Sequence, residues 1–287
     1  MQSGLELNQY RSLICESFLE THTPYDPDDI EWPDLESPTR EWLAALPVWD
    51  EAVNTEHETA IIVDAMARYE RDPLMAEAIA LQGYEENRHA TIVRRLAERY
   101  EFGVERRAVT RPSHPLWSFL ISGSGECLDS FFAFGLFELA RGLDFLPPLF
   151  IELFDTVMAE EARHIVFFEN WCRYYRVSLP VDRSLWLWLK TALAAAWNVA
   201  KRIVAAAQLA SAEGGPDSRF LLQSAQTFEG LTVAGFLDTC LRANRERLAS
   251  FDARLNRPEL VPRIARGTRR MLATAGSASA PLRPRPA

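Results

Sequence analysis

Two short stretches carry the residue types that do chemistry. "YEENRHATIVRRL" (84–96) contains Glu85-Glu86-Asn87-Arg88-His89, and "AEEARHIVFF" (159–168) contains Glu160-Glu161-Ala162-Arg163-His164. On a helix, residues three apart share a face, so Glu86 projects with His89 and Glu161 with His164. A carboxylate and an imidazole leaving one helix together make half of a metal site. Two such helices facing each other supply two Glu and two His, a donor set that suits iron or manganese better than thiolate-preferring metals. A single Glu-x-x-His is ordinarily a solvated pair. Here two of only five histidines fall in near-identical pentads, and that repetition is what points to metal.

Those pentads need helices to hold them. No segment alternates polar and apolar residues long enough for a strand, and helical periodicity dominates. The pattern predicts an N-terminal helix at about 5–20, then an extended, Pro- and Asp-rich surface segment, "THTPYDPDDIEWPDLESPTR". Four long helices follow, at about 48–71, 73–101, 117–142 and 148–176, with Pro73 at a first helical position and Gly142 as a cap. Further helices are predicted at about 182–212 and 217–249, split by "AEGGPD", with a short one beginning near Pro258. The fold class expected is therefore all-α: a four-helix bundle of two antiparallel hairpins with additional C-terminal helices. Its divisions are an N-terminal region (1–45), the core (46–178), C-terminal helices packed on it (179–272) and a low-complexity, disordered tail (273–287). Each hairpin carries one pentad on its second helix.

Two divalent ions need more negative charge than the pentads supply, so each hairpin's first helix should add a carboxylate. In an antiparallel hairpin, partners at one level lie equally far from the turn. With turns near 72 and 145, Glu56 lies 16 before the first turn against 14 after it for Glu86, and Glu126 lies 19 before the second against 16 after it for Glu161; these two are chosen. Glu58, at 14 before the turn, is the alternative on level alone. Glu138 is second choice on its helix, because it sits too near the turn. His57 points away from Glu56 around the helix. Asp129, three after Glu126, is a weaker candidate for an extra ligand. Glu229 and Asp238 are polar in apolar company but lack any matched spacing.

The order Glu, Glu-Glu-x-Arg-His, Glu, Glu-Glu-x-Arg-His resembles the ferritin-like, carboxylate-bridged di-iron superfamily, over about residues 48–176. The arrangement of one Glu from each of two helices and one Glu-x-x-His from each of the others is the one described for such bundles. The resemblance implies that Glu56, Glu86 and His89 serve one ion and Glu126, Glu161 and His164 the other, with Glu86 and Glu161 bridging. It implies that Glu85 and Glu160 orient the histidines and pair across the bundle with Arg163 and Arg88. Glu stands in both pentads where the family more often has Asp. Ser130, one turn after Glu126, falls where oxygenase members often place a hydroxyl that handles protons. The cofactors implied are two iron ions, with manganese or a mixed pair as alternatives, and dioxygen is the co-substrate. The activity implied is oxidation of a small, partly apolar molecule, with an external electron donor; iron storage or ferroxidase action is the alternative. Phe131, Phe132, Phe134 and Phe137, with Trp117, Phe167 and Trp171, suggest an apolar sleeve for a substrate or, more simply, core.

Bulk properties narrow the partners. A net charge of −9 speaks against nucleic acid as the main partner. Cys15, Cys127, Cys172 and Cys240 form no paired motif and read as buried thiols of a cytoplasmic protein. The first twenty residues lack the apolar run of a signal peptide. The most apolar stretch, 185–210, is interrupted by Lys190, Asn198, Lys201 and Arg202; it reads as a buried helix rather than a membrane span, with a surface amphipathic helix as the alternative. The Arg-faced helix after it is a candidate homodimer contact.

Overall fold

In the computed structural model, residues 5–45, 49–105, 107–143, 146–210 and 232–274 are described. The described residues contain nine α-helices and no strand. They are α1 (Leu7–Glu20), α2 (Ser37–Ala45), α3 (Trp49–Tyr69), α4 (Pro73–Arg99), α5 (Pro115–Arg141), α6 (Pro148–Ser178), α7 (Val181–Ala210), α8 (Val233–Leu248) and α9 (Leu260–Thr274). The all-α expectation holds, and the four long central helices fall where the periodicity put them. Helix α2 was not foreseen: it occupies the end of the Pro-rich segment. The predicted start of the 217–249 helix, "AEGGPD", Glu229 and most of the tail lie outside the described residues.

The helix boundaries follow local chemistry. At α4, Asp72 accepts hydrogen bonds from the backbone N–H of Leu74 (3.1 Å) and Met75 (3.2 Å), and Pro73 follows at a position where its missing N–H costs nothing. Helix α5 also starts on a proline and ends on Gly142. Thr232 caps α8 through the N–H of Gly235.

Helices α3 and α4 pack as one hairpin and α5 and α6 as another. Contacts of α3 with α5 and of α4 with α6 close the four into a bundle. Helix α5 is the hub, since α7 and α8 also lie against it. Two glycines make that crowding feasible. A Cβ on Gly123 would collide with the Phe168 ring, and one on Gly135 would lie 3.0 Å from Cys240 Cα. Helix α1 lies across α4 and α6. Its Tyr10 donates to buried Asn170 of α6 (2.5 Å), which also receives the backbone N–H of Asn256 (2.8 Å). The main apolar core runs through Met66, Ile79, Phe119, Phe134, Ile165 and Trp171, all buried. Among the described residues, no helix is long and apolar enough to cross a membrane.

Helix α7 departs from the expectation of a buried helix. Leu187, Ala194 and Asn198 face the bundle, and most of its large apolar side chains face outward.

Candidate metal centre

At the middle of the bundle, α3, α4, α5 and α6 bring together Glu56, Glu86, His89, Glu126, Glu161 and His164. Glu56, Glu86, His89 and Glu161 form one group whose ligand atoms all lie within 4.8 Å of one another. Glu86, Glu126 and His164 form a second, on the same spacing. Glu86 belongs to both, and a Glu161 oxygen lies 3.9 Å from His164 Nδ1. The two imidazoles face each other with ring centroids 5.8 Å apart.

How the imidazoles are used decides what the cluster can do. Each Nε2 is anchored: His89 on Glu160 (2.7 Å) and His164 on Glu85 (2.9 Å). Each Nδ1 is buried, yet neither makes a hydrogen bond. Carboxylate oxygens crowd around them all the same. Glu161 is 3.2 Å and Glu56 3.6 Å from His89 Nδ1, and Glu86 is 2.9 Å from His164 Nδ1. The donor atoms converge side by side on common points instead of aiming at one another. A buried polar atom without a partner costs stability, and a cation among these groups would remove that cost. The fixed Nε2–H leaves the Nδ1 lone pair as the ligating one.

The electrostatics agree with a cation-binding purpose. Burial pushes the Glu56 carboxyl up to about 8, helped by the neighbouring Glu161 and Glu86 charges and opposed by His89. Glu126 is raised well above the carboxylate range by burial and then by Glu86 and Glu161. Burial works against charge on both imidazoles, but the surrounding carboxylates outweigh it and hold both well above 6.5. Burial likewise works against charge on Glu161, where contacts to His89 and His164 win and lower it. Without ions, protons supply the positive charge these carboxylates require.

Around this centre the pentads pair across the bundle. Arg163 donates to Glu85 (2.8 Å), and Arg88 donates to Glu160. Burial would raise the Glu85 carboxyl, but His164 and Arg163 hold it well below the usual carboxylate range. Gln82 of α4 donates to Glu126 (3.2 Å) and Glu86 (3.5 Å), and Ser122 donates to Glu126 (3.3 Å). Ser130 is buried with its hydroxyl 3.5 Å from Glu161.

Several candidates fall elsewhere. Asp129 turns to α7, where Arg202 grips it with two nitrogens at 3.0 and 2.5 Å, so it is no ligand. Glu138 pairs with Arg141 and Arg247, and Asp238 with Arg269. His57 and Glu58 are exposed. The aromatic residues do not form a common sleeve: Phe134, Phe167, Trp117 and Trp171 belong to the main core, whereas Phe131 and Phe132 pack with Phe236 of α8.

No local feature of the sequence marks the contribution made by the end of α1 and the segment after it. His22 Nδ1 lies 2.5 Å from Glu85, and Tyr25 donates to Glu160 (3.3 Å) with its ring beneath the Arg88 guanidinium. The backbone carbonyls of Phe18, Thr23 and Tyr25 accept from Arg163 and Arg88. The segment is extended, as expected, but it seals the core instead of only covering surface. Comparison with protein families, curated proteins and solved structures finds no match for this chain.

Proposed function

We propose that the chain is a ferritin-like oxidoreductase that holds two iron ions and uses dioxygen to oxidise a small organic molecule, with electrons from an external donor. The observation that carries this reading is the pair of buried, unbonded Nδ1 atoms set among four carboxylates at the bundle centre. Glu56, Glu86, His89 and Glu161 would hold one ion; Glu86, Glu126, Glu161 and His164 the other. All six donors are oxygen or imidazole, the set that iron and manganese share. When bound, a reduced pair supplies the electrons for dioxygen chemistry.

The chain's own residues have distinct tasks. Glu85 and Glu160 fix the imidazole planes and tautomers. Arg163 and Arg88 pair with them across the bundle, and His164 with Arg163 keeps Glu85 charged while buried. Gln82 and Ser122 hold Glu126 in place. The Ser130 hydroxyl, beside Glu161, can hold or pass a proton at its Oγ.

One observation favours a second reading, ferroxidase or storage action without an organic substrate. A quarter of the Glu56 side chain is exposed, and near the ligands of α3 and α5 a polar chain runs from Thr59 through Ser122 to Glu126. Polar surroundings of this kind suit a hydrated ferrous ion as well as a small polar molecule, and the aromatic residues form no common sleeve among the described residues. Anaerobic loading with ferrous iron, followed by oxygen and watched by optical and Mössbauer spectroscopy, tests the proposal. About two coupled irons per chain that react with oxygen are expected. Binding of a single ion, or of zinc alone, overturns it. Repeated oxygen consumption with a reductant, without growth of a ferric core, separates the first reading from the second.

A further inference from the structure

Helix α7 carries apolar surface far beyond what it uses to hold the bundle. Leu185, Trp186, Trp188, Leu189, Leu193 and Trp197 are exposed, between 39% and 63% of their surface each. At about 200 Å² for a large side chain, these six alone offer roughly 600 Å² of apolar surface. That is at the upper end for the largest patch on a typical monomer. Ile203 and Val204, also exposed, extend it toward the roughly 800 Å² per partner of a standard stable interface.

We propose that this face is where two copies of the chain meet, α7 against α7, about a two-fold axis. Its shape suits a helix as the occupant. Ala192, Ala196 and Ala200 are exposed along the middle of the face, so a second helix can approach between the flanking tryptophans and leucines. From Leu185 to Ala200 the exposed positions carry no charge; Lys190 is only partly exposed, with its ammonium 5.3 Å from the Trp186 ring. The charges stand at the two ends, with Asp182 and Arg183 before the apolar run and Lys201 near its close, all exposed. An antiparallel pairing centred near Ala192 brings the Asp182–Arg183 end of one copy level with Lys201 of the partner subunit, twice, as an isologous contact requires, so that only Asp182 can offset the cations there. An anionic bilayer is a poorer occupant, because the chain as a whole carries −9. This inference does not depend on the metal reading.

The test is the mass of the full chain in solution at micromolar concentration, by light scattering and sedimentation. Twice the 32.6 kDa of one chain is expected. Leu193→Asp and Trp197→Asp should each give single chains with unchanged helix content, since both side chains point away from the core. Leu193→Met should keep the pair. Asp182→Lys should weaken association tenfold or more, and adding Lys201→Asp should restore it. A wild-type chain that runs at single-chain mass overturns the proposal. In that case, flotation with phosphatidylglycerol vesicles would assign the face to a membrane, and its absence would assign it to cover from within the same chain. A dimer indifferent to both aspartate substitutions overturns it as well.

Discussion

The hairpins α3–α4 and α5–α6 carry the same pentad, yet the imidazoles they bring to the centre lean on different supports. Behind His89 stands Glu160, which also takes Arg88 and the phenol of Tyr25. Behind His164 stands Glu85, which takes Arg163 and the imidazole of His22. Each carboxylate comes from the opposite hairpin, so neither half is complete alone. The outer partners differ in chemistry: Tyr25 is held neutral, its phenol pushed up to about 12 by burial and the Glu160 charge, whereas His22 sets a partly exposed imidazole nitrogen 2.5 Å from Glu85. Matched ligands on unmatched supports predict two metal positions that are equal in donors and unequal in the outer contacts that hold their imidazoles.

The largest effects should come from removing the ligands that distinguish the halves. His89→Ala and His164→Ala are each expected to abolish the oxygen reaction and to lower bound iron from about two per chain to one or fewer, read by metal analysis. If each variant keeps one ion, and the remaining ion differs spectroscopically between them, the halves are independent; loss of both ions in either variant makes them one unit.

Next come the cross-bundle carboxylates. Glu85→Ala leaves Arg163 as an uncompensated buried charge, and Glu160→Ala leaves Arg88 only the more distant Glu85 at 4.0 Å. Each should cost about 3–5 kcal/mol of folding stability and weaken metal affinity about 10- to 100-fold. Chemical denaturation and competition with a chelator measure the two quantities.

A titration of stability against pH has a defined sign. Between its ordinary 4.5 and its folded value of about 8, the Glu56 carboxyl keeps in the folded chain a proton that the unfolded chain has released. Stability of the metal-free protein therefore falls as pH rises across that window. His89 and His164, raised above 6.5, act in the same direction: their contribution is complete below 6.5 and fades as pH climbs through their raised values. Glu85 and Glu161, lowered from 4.5, contribute above that value and lose it on acidification, which sets the acid limb. Melting temperature should thus decline from about pH 5 to pH 8 in the metal-free protein. Loading with ions should flatten the decline, because ions replace the protons. A flat profile before loading would show that these groups are not protonated as described.

The smallest effects should arise from the outer partners. Tyr25→Phe removes one hydrogen bond, about 1 kcal/mol, and should leave the pH dependence of metal uptake unchanged. His22→Gln, which keeps a side chain able to donate to Glu85, should cost no more than that. An equal loss of metal affinity in both variants would erase the distinction between the halves.

Much of this arrangement was legible before any coordinates. The repeated three-residue spacing set Glu86 with His89 and Glu161 with His164, and counting levels from two turns selected Glu56 and Glu126. Glu138 was already set aside by its nearness to the turn, whereas Glu58 was separable from Glu56 only by exposure, which needs the third dimension. Asp129 looked like a ligand on α5 because its rival, Arg202, sits on another helix. His22 and Tyr25 contact the core from more than sixty positions away in sequence, and nothing local marks them. The apolar run of α7 reads as buried on composition, because composition cannot tell a face pressed on the bundle from one turned outward.

The seal made by the end of α1 and the stretch after it has a practical corollary. Two guanidiniums at the bundle centre spend part of their donor capacity on main-chain oxygens of Phe18, Thr23 and Tyr25. No substitution can alter those oxygens, whereas cutting away the leading twenty-five residues removes all of them together. A shortened version of the chain would retain every candidate metal ligand in its sequence and still be expected to load poorly.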